Sequence, residues 1–221
     1  MDEQKIFETE NLRKYIKNLG IDIYGIADML LLKEMETGIP TDLKKFLNIF
    51  PYAIVLGAQY GKLGKKASGG KTAMFLENAA FSIMEYLENK GYRQLIIHTE
   101  DVFDPINRLG FISLKLLAKA AGLGWQGRSL LVISPEYGPF HRLIAILTDL
   151  PLQANEAIKN RCGDCRKYIE ACPQNALTFV AFNDHPSCRE DVLDIQSCLG
   201  DNGCLVCILS CPLLKSLNTP K

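Results

Sequence analysis

The segment Cys204-Leu-Val-Cys207-Ile-Leu-Ser-Cys211-Pro212 decides how this chain is interpreted. Two residues separate its first cysteines, three precede the last, and a proline follows, which is the closing half of a bacterial iron–sulfur motif. The chain has 8 cysteines, all after residue 160. Two 4Fe–4S clusters need that number of thiolates, at four each, so the pattern predicts two clusters and an electron-transfer role. The predicted metal ligands are Cys162, Cys165, Cys172, Cys188, Cys198, Cys204, Cys207 and Cys211.

A related motif lies upstream, where Cys162-x2-Cys165 is followed after six residues by Cys172-Pro173. The usual spacing would place a further cysteine at position 168, where this chain has Tyr168. In two-cluster proteins the Cys-Pro cysteine of one motif binds the cluster of the other. A 3Fe–4S cluster or a non-cysteine ligand would also fit the altered motif. We expect one cluster on Cys172, Cys188, Cys204 and Cys207, and the other on Cys162, Cys165 and Cys211 with Cys198 replacing the missing ligand.

Zinc is the main alternative, because paired C-x2-C motifs also hold tetrahedral zinc. Zinc motifs do not call for a proline after the last cysteine, whereas this chain has one twice, at Pro173 and Pro212. Residues 1–18 are charged and helical in pattern, unlike a signal peptide. We therefore expect a cytoplasmic protein whose thiols stay reduced rather than forming disulfides.

The overall charge and the lengths of the apolar runs argue against two kinds of binding partner, nucleic acids and membranes. The formal net charge is zero, from 25 basic and 25 acidic side chains, which argues against a broad nucleic-acid-binding surface. No apolar run reaches the roughly 20 residues that span a bilayer, so we expect no membrane association.

Strand and helix patterns alternate before residue 150. The apolar run 53–58 predicts a buried strand, and residues 73–90 predict a long helix that ends at Gly91. The expected fold class is α/β (α+β), with an α/β layered domain over residues 1–155. A small ferredoxin-like double-cluster domain is expected over residues 156–221.

The segment Gly122-Leu-Gly124-Trp-Gln-Gly127 matches the G-x-G-x-x-G dinucleotide fingerprint in letters only. That fingerprint follows a strand and opens a helix, whereas this one follows a predicted helix and precedes a predicted strand. We expect the glycines to cap the helix and to bring backbone close to a flat or phosphate-bearing group. Arg128 and Ser129 would suit a phosphate. Trp125 fits either this site or the core.

The stretch AGLGWQGRSLLVISPEYG (121–138) and the segment LTDLPL (147–152), with the cysteine motifs, resemble the epoxyqueuosine reductase family. The resemblance implies an α/β domain that carries cobalamin and receives electrons from two 4Fe–4S clusters, as in the related reductive dehalogenases. It also implies a ferredoxin or flavodoxin as electron donor. The residues it assigns to the cobalamin pocket are Gly122, Gly124, Trp125, Gly127, Arg128 and Ser129.

Two features depart from that family. Its acidic proton donor has no counterpart at the expected spacing, which leaves Asp101 and Asp104 as weak catalytic candidates. The family's C-terminal extension, which contacts transfer RNA, has no counterpart before Lys221, so we expect tRNA not to be a partner. The expected electron acceptor is then an unknown small molecule or a partner protein. Two alternatives stay open: a non-catalytic electron-transfer module, and a protein whose clusters are structural or sense metal.

Overall fold

The computed structural model of this chain describes residues 2–21, 23–30, 32, 48–60, 69–100, 104–200 and 204–214. Helices and strands dominate the chain up to residue 150, and short turns dominate beyond it. The elements in chain order are α1 (Asp2–Asn18), β1 (Ile23–Asp28), β2 (Tyr52–Gln59), α2 (Gly69–Asn89), β3 (Gln94–Ile97), α3 (Leu114–Ala120), β4 (Trp125–Gln126), β5 (Val132–Ile133), β6 (His141–Thr148), α4 (Lys167–Glu170) and α5 (Val206–Leu209).

The main sheet has the strand order β1-β2-β6-β3, and each neighbouring pair is antiparallel. Strand β2 pairs with β6 over its full length, from Tyr52 opposite Thr148 to Gln59 opposite His141. Strands β4 and β5 form a separate antiparallel pair. The β4–β5 pair therefore lies within and just after the glycine-rich segment, where the sequence predicted only a turn before a strand.

Both faces of the main sheet are covered. Alternate residues of a strand point to opposite faces, so Ile54 and Leu56 of β2 pack in one core cluster with α1 and α2. Ala53 and Val55 pack in a second cluster with α3. The continuous apolar run of β2 thus arises from two-sided burial, and the predicted α/β layered fold class is confirmed with an antiparallel sheet.

Helix α2 spans Gly69–Asn89, close to the predicted range. Leu76, Ile83 and Leu87 are buried against the sheet, while the other side of the helix is exposed. The helix stops as predicted before Gly91, which has φ +79°. Within the described ranges, no helix combines the length and apolar character needed to cross a membrane.

After β6, the chain passes beside β1 before it reaches the first cysteine. The backbone of Asn155 donates to the carbonyl of Ile26 at 2.8 Å, and the Asn155 side-chain oxygen accepts from the Ile26 amide at 3.0 Å. Farther on, Phe182 and Val192 pack on Leu130 in a small third core cluster. These contacts attach the cysteine-bearing segment, residues 156–200 and 204–214, to the layered domain. The ferredoxin-like domain and its boundary remain predictions.

His141, the first residue of β6, makes a pH-dependent contribution to stability. Its Nδ1 atom is buried without a hydrogen-bond partner, and burial lowers the pKa of His141 to about 4, against a smaller raising effect from Gly138. The unfolded pKa is about 6.5, so the unfolded chain binds this proton first as the pH falls. The contribution of neutral His141 to the free energy of unfolding is therefore fully present above a pH of about 6.5. It is lost as the pH falls towards about 4.

We expect about 3 kcal/mol of the free energy of unfolding to disappear across that pH range because of His141. Denaturant unfolding of the wild type and of His141→Gln at several pH values would measure this contribution. The variant should show a flatter pH dependence than the wild type. His98→Gln, at a half-exposed histidine, is the control. Parallel pH profiles for the wild type and His141→Gln would contradict the prediction.

Candidate metal centre

Helices α4 and α5 give the two cysteine motifs the same local structure. Their N-caps have nearly equal dihedrals, with φ −118° and ψ 4° at Arg166 and φ −115° and ψ 13° at Leu205. Each is one turn long and leads into a Cys-Pro pair, and the two helices pack together. Cys172 and Cys211 donate their backbone N–H in the same way, to Ile169 and Ile208 three residues earlier. The two motifs are therefore structural counterparts.

One group of thiols surrounds Cys207. Burial raises the pKa of the Cys207 thiol, and the neighbouring sulfurs of Cys204, Cys198 and Cys172 raise it further. The sulfur of Cys198 also accepts a backbone hydrogen bond from Gly200 at 3.4 Å. This group contains four thiols, the number that one cubane requires.

A second group surrounds Cys211. Burial raises the pKa of the Cys211 thiol, a backbone hydrogen bond with Leu213 lowers it, and nearby Cys162 and Cys165 raise it. Tyr168 lies near the same thiols: burial raises its pKa, Arg128 lowers it, and Cys165 and Cys162 raise it further. Cys162, Cys165, Tyr168 and Cys211 also border one cavity. This group thus holds three thiols and one phenol.

The grouping agrees with the sequence-based expectation except at two cysteines. Cys198 lies with Cys207, although it was expected with Cys162. Cys188 was expected in the Cys207 group, but its side chain is exposed and its sulfur donates to Glu190 at 2.8 Å. The spacing could not decide between them, because Cys188 and Cys198 both lie in irregular chain upstream of α5.

Cys207 also borders the cavity of the Cys211 group. We assign it to the other group because three thiols influence it there, and because Cys207 and Tyr168 hold equivalent positions in α5 and α4. The two groups are therefore adjacent, as expected for motifs that exchange their Cys-Pro ligands.

The chemistry of the donor set fits iron–sulfur clusters. In the part of the chain that the structure describes, no three His, Cys, Asp or Glu side chains converge on a point that would hold a single metal ion. A cubane binds each thiolate at a different iron, so its ligands surround a volume instead. Two adjacent groups, one of four thiols and one of three thiols with a phenol, are suited to that arrangement.

The glycine-rich turn holds the first cysteine in place. The indole N–H of Trp125, which is buried, donates to the sulfur of Cys162 at 3.3 Å. Asn160 donates to the carbonyl of Gln126 at 2.9 Å and accepts from the backbone N–H of Cys162 at 2.8 Å. Trp125 therefore belongs both to the core and to the site. Hydrogen bonds to ligand sulfurs tune iron–sulfur potentials, which gives this contact a chemical role.

Arg128 joins the turn to the cysteine segment. Its guanidinium donates through Nε to the carbonyl of Gly163 at 2.9 Å and through Nη1 to the carbonyl of Phe182. It also lies over the Phe182 ring, 4.6 Å from the ring centroid. Gly163 sits between Cys162 and Cys165, so a buried arginine fixes the loop that carries both thiols.

Two glycines of the turn, Gly122 and Gly124, lie against backbone from other segments of the protein. Gly122 has φ +68° and caps α3, as predicted, by donating to Lys119 at 3.1 Å. A Cβ atom there would lie 2.4 Å from the carbonyl oxygen of Glu156. At Gly124 it would lie 2.2 Å from the carbonyl oxygen of Ile133. Backbone of the same chain therefore occupies the space where we expected a flat or phosphate-bearing ligand.

The residues assigned to a cobalamin pocket thus divide into two sets. Gly127, Arg128 and Ser129 border the cavity of the Cys211 group. Gly122, Gly124 and Trp125 are enclosed by protein contacts. These six residues do not form an open cradle for a corrin, and we derive no catalytic step through cobalamin.

Asp104 has a structural role in this molecule. Its carboxylate accepts from the backbone N–H of Ile106 and of Asn107 at 3.0 Å and from the Asn107 side chain at 2.7 Å. These bonds, chiefly that from the Asn107 backbone, lower the pKa of Asp104. An exposed carboxylate with a lowered pKa is a poor proton donor near neutral pH. Asp101, the other candidate, lies outside the described residues.

Sequence reasoning missed one contact between the layered domain and the cysteine-bearing segment. Lys119 is only 3% exposed, and its Nζ atom lies 2.7 Å from a carboxylate oxygen of Asp184 in the cysteine-bearing segment. Burial alone would raise the pKa of Asp184, but bonds with Lys119 and then His185 bring it below its ordinary value. Helix α3 has two lysines among apolar residues, Lys115 and Lys119, and the sequence did not indicate that Lys119 is the buried one. The Lys119–Asp184 pair is a further link between the layered domain and the cysteine-bearing segment.

Comparison with curated proteins finds epoxyqueuosine reductases. That of Leadbetterella byssophila is 44% identical over 116 residues, covering 47% of this chain and 38% of the relative. That of Aliivibrio fischeri is 27% identical over 188 residues, covering 80% of this chain and 46% of the relative. The chain spans less than half the length of either relative. A comparison with protein-family models finds no match.

Solved structures show the same likeness. Selenomethionine-labelled epoxyqueuosine reductase matches 92% of this chain and 64% of its own, with a TM-score of 0.68 and 22% identity. A reductive dehalogenase studied for B12-dependent dehalogenation matches 83% of this chain and 28% of its own, with a TM-score of 0.56 and 20% identity. The chain is therefore similar in sequence to epoxyqueuosine reductases and shares its fold with them and with reductive dehalogenases, as its own motifs predicted.

Proposed function

We propose that this chain is an iron–sulfur oxidoreductase that passes electrons through two clusters to an acceptor. The observation that carries the proposal is the pairing of two thiol groups around Cys207 and Cys211 on equivalent, packed helices. When bound, such clusters supply one-electron transfer. The proposed ligands are Cys172, Cys198, Cys204 and Cys207 for one cluster, and Cys162, Cys165 and Cys211 for the other.

The surrounding residues would position and tune the clusters. The Trp125 N–H donates to the Cys162 sulfur, which stabilises added negative charge at that cluster. Arg128 holds the loop between Cys162 and Cys165. Partial burial of Cys207 and Cys211 limits the access of water. A ferredoxin or flavodoxin remains the proposed electron donor.

The relatives suggest classes of acceptor. Their name denotes reduction of epoxyqueuosine, and one solved neighbour was crystallised with an epoxyqueuosine-modified tRNA stem loop. Another structural neighbour is a reductive dehalogenase that was studied for B12-dependent dehalogenation. Our expectation that tRNA is not a partner conflicts with the first of these likenesses. The proposed acceptors are therefore a small reducible substrate, reached through a cobalamin that binds outside the space enclosed around Gly122, Gly124 and Trp125, and a modified nucleoside in tRNA.

A second function is favoured by two observations. Backbone fills the space beside Gly122 and Gly124, and the Asp104 carboxylate is engaged in its own turn. Both fit a non-catalytic module that delivers electrons to a partner enzyme.

The deciding experiment is EPR spectroscopy of cob(II)alamin with anaerobically reconstituted protein. The reductase proposal predicts a change from base-on to base-off cobalt. Protein that has not been reconstituted is the control for non-specific effects of the polypeptide. An unchanged cobalt spectrum with reducible cluster signals would favour the electron-transfer module. Absence of both iron and inorganic sulfide after reconstitution would contradict the iron–sulfur proposal itself.

A further inference from the structure

Tyr168 stands where the second motif has a cluster ligand. Tyr168 is the second residue of α4, and Cys207 is the second residue of α5. The two helices share N-cap dihedrals and lead into a Cys-Pro pair in the same register. The Cys211 group therefore has a phenol at the corner where the Cys207 group has a thiol.

The two remaining cysteines do not fill this corner in the structure. Cys198 lies with the Cys207 group. Cys188 is exposed and donates to Glu190. Within the described residues, the thiols that border the cavity beside Tyr168 are Cys162, Cys165, Cys207 and Cys211, and Cys207 belongs to the adjacent group.

Tyr168 is placed as a packing residue. Its side chain is 5% exposed. Its hydroxyl lies 3.5 Å from the carbonyl oxygen of Thr178, to which a protonated phenol can donate. An iron ligand would instead have to be the deprotonated phenolate. Tyr168 therefore stands at this corner without supplying an anionic ligand.

The other walls of the cavity combine apolar residues, Ile133 and Pro212, with positively charged and polar ones. Arg128, Lys167 and Ser129 border it together with the cysteines. Positive side chains beside a metal centre favour an anionic ligand. The open corner therefore faces surroundings suited to a small anion.

We propose that the cluster bound by Cys162, Cys165 and Cys211 is a cubane with three protein thiolates, whose fourth iron is exchangeable and binds a small exogenous anion. This inference rests on the proposed function and extends it, because an iron with an open coordination position can bind a substrate or inhibitor as well as transfer electrons.

Controlled oxidation tests the inference. Ferricyanide removes one electron from a cubane in the 2+ state, and a cubane with only three thiolates then releases Fe²⁺ and leaves a three-iron cluster in the 1+ state. We expect the oxidised wild type to show the EPR signal of a three-iron cluster and to lose about one iron per chain. Added Fe²⁺ with dithionite should restore the cubane. An oxidised wild type that keeps all of its iron would overturn the inference while leaving the proposed function intact.

Three variants test whether the position of Tyr168 is the one that lacks a protein ligand. Tyr168→Cys should suppress both the three-iron signal and the loss of iron, because it supplies the missing thiolate. Tyr168→Phe should behave as the wild type, and altered cluster signals in this variant would show that the phenolate is a ligand and contradict the inference. Cys188→Ser should also behave as the wild type, whereas iron loss that appears only in this variant would assign the fourth ligand to Cys188. Failure to assemble any cluster in the wild type would contradict both proposals.

Cyanide is the probe for the exogenous ligand. We expect it to change the EPR spectrum of the reduced wild type but not that of Tyr168→Cys. An identical response of both proteins would place cyanide elsewhere and contradict an open corner beside Tyr168. If Tyr168→Cys does not fold, Tyr168→Phe and Cys188→Ser still decide the question by iron loss.

Discussion

Arg128→Met is expected to lower the free energy of unfolding by about 3–5 kcal/mol. The arginine is buried and donates to two backbone carbonyls, those of Gly163 and Phe182. Methionine keeps much of the apolar volume but leaves both carbonyls without this donor. It also removes the contact with the Phe182 ring. Anaerobic denaturant unfolding of reconstituted protein would measure the loss, and the iron content per chain would show whether cluster retention falls with it.

Arg93→Met is the matched control. Arg93 pairs with Asp149 at 2.7 Å, but its side chain is 65% exposed, so its loss should cost less than about 1 kcal/mol. The backbone N–H of Arg93, which also bonds Asp149, is retained in the variant. Equal small effects of the two substitutions would show that the Arg128 bonds do not hold the cysteine loop to the layered domain.

Regular elements were predictable where local pattern is enough to specify them. The apolar run of β2 and the periodicity of α2 gave nearly correct bounds, and Gly91 ends its helix as predicted. Strand pairing was not predictable, because an apolar run buried on both faces gives no information about direction or register. The four-stranded antiparallel order became visible only with the long-range pairing of β2 and β6.

The candidate site was predictable in composition but not in assignment. Spacing alone placed Cys162, Cys165 and Cys211 together, and the structure keeps those three as neighbours. Spacing could not place Cys198, because its distance from the other thiols depends on irregular chain. The neighbours of the glycine turn were not predictable for a related reason. A glycine needed for close approach looks the same in sequence whether its neighbour is a ligand or, as at Gly124, the protein backbone.

Gly122→Ala should destabilise the protein by about 2–5 kcal/mol, from two separable causes. Gly122 has φ +68°, a conformation that alanine adopts only at a cost of about 1–2 kcal/mol. Its added methyl carbon would also lie 2.4 Å from the Glu156 carbonyl oxygen, so backbone must move, which costs about 1–3 kcal/mol more. Denaturant unfolding would measure the sum.

Gly91→Ala separates these causes, because Gly91 ends α2 in the way that Gly122 ends α3. It has φ +79°, and both glycines are followed by a residue whose N–H bonds back into the helix, from Tyr92 to Leu87 and from Leu123 to Ala118. Nothing lies within 4 Å of a Cβ atom at Gly91, so only the dihedral cost applies there. The excess at Gly122 therefore measures how firmly the segment leading to the cysteines is held against α3. Equal losses at the two glycines would mean that this segment moves at no measurable cost, and that contacts other than the one at Gly122 position the cysteine-bearing segment.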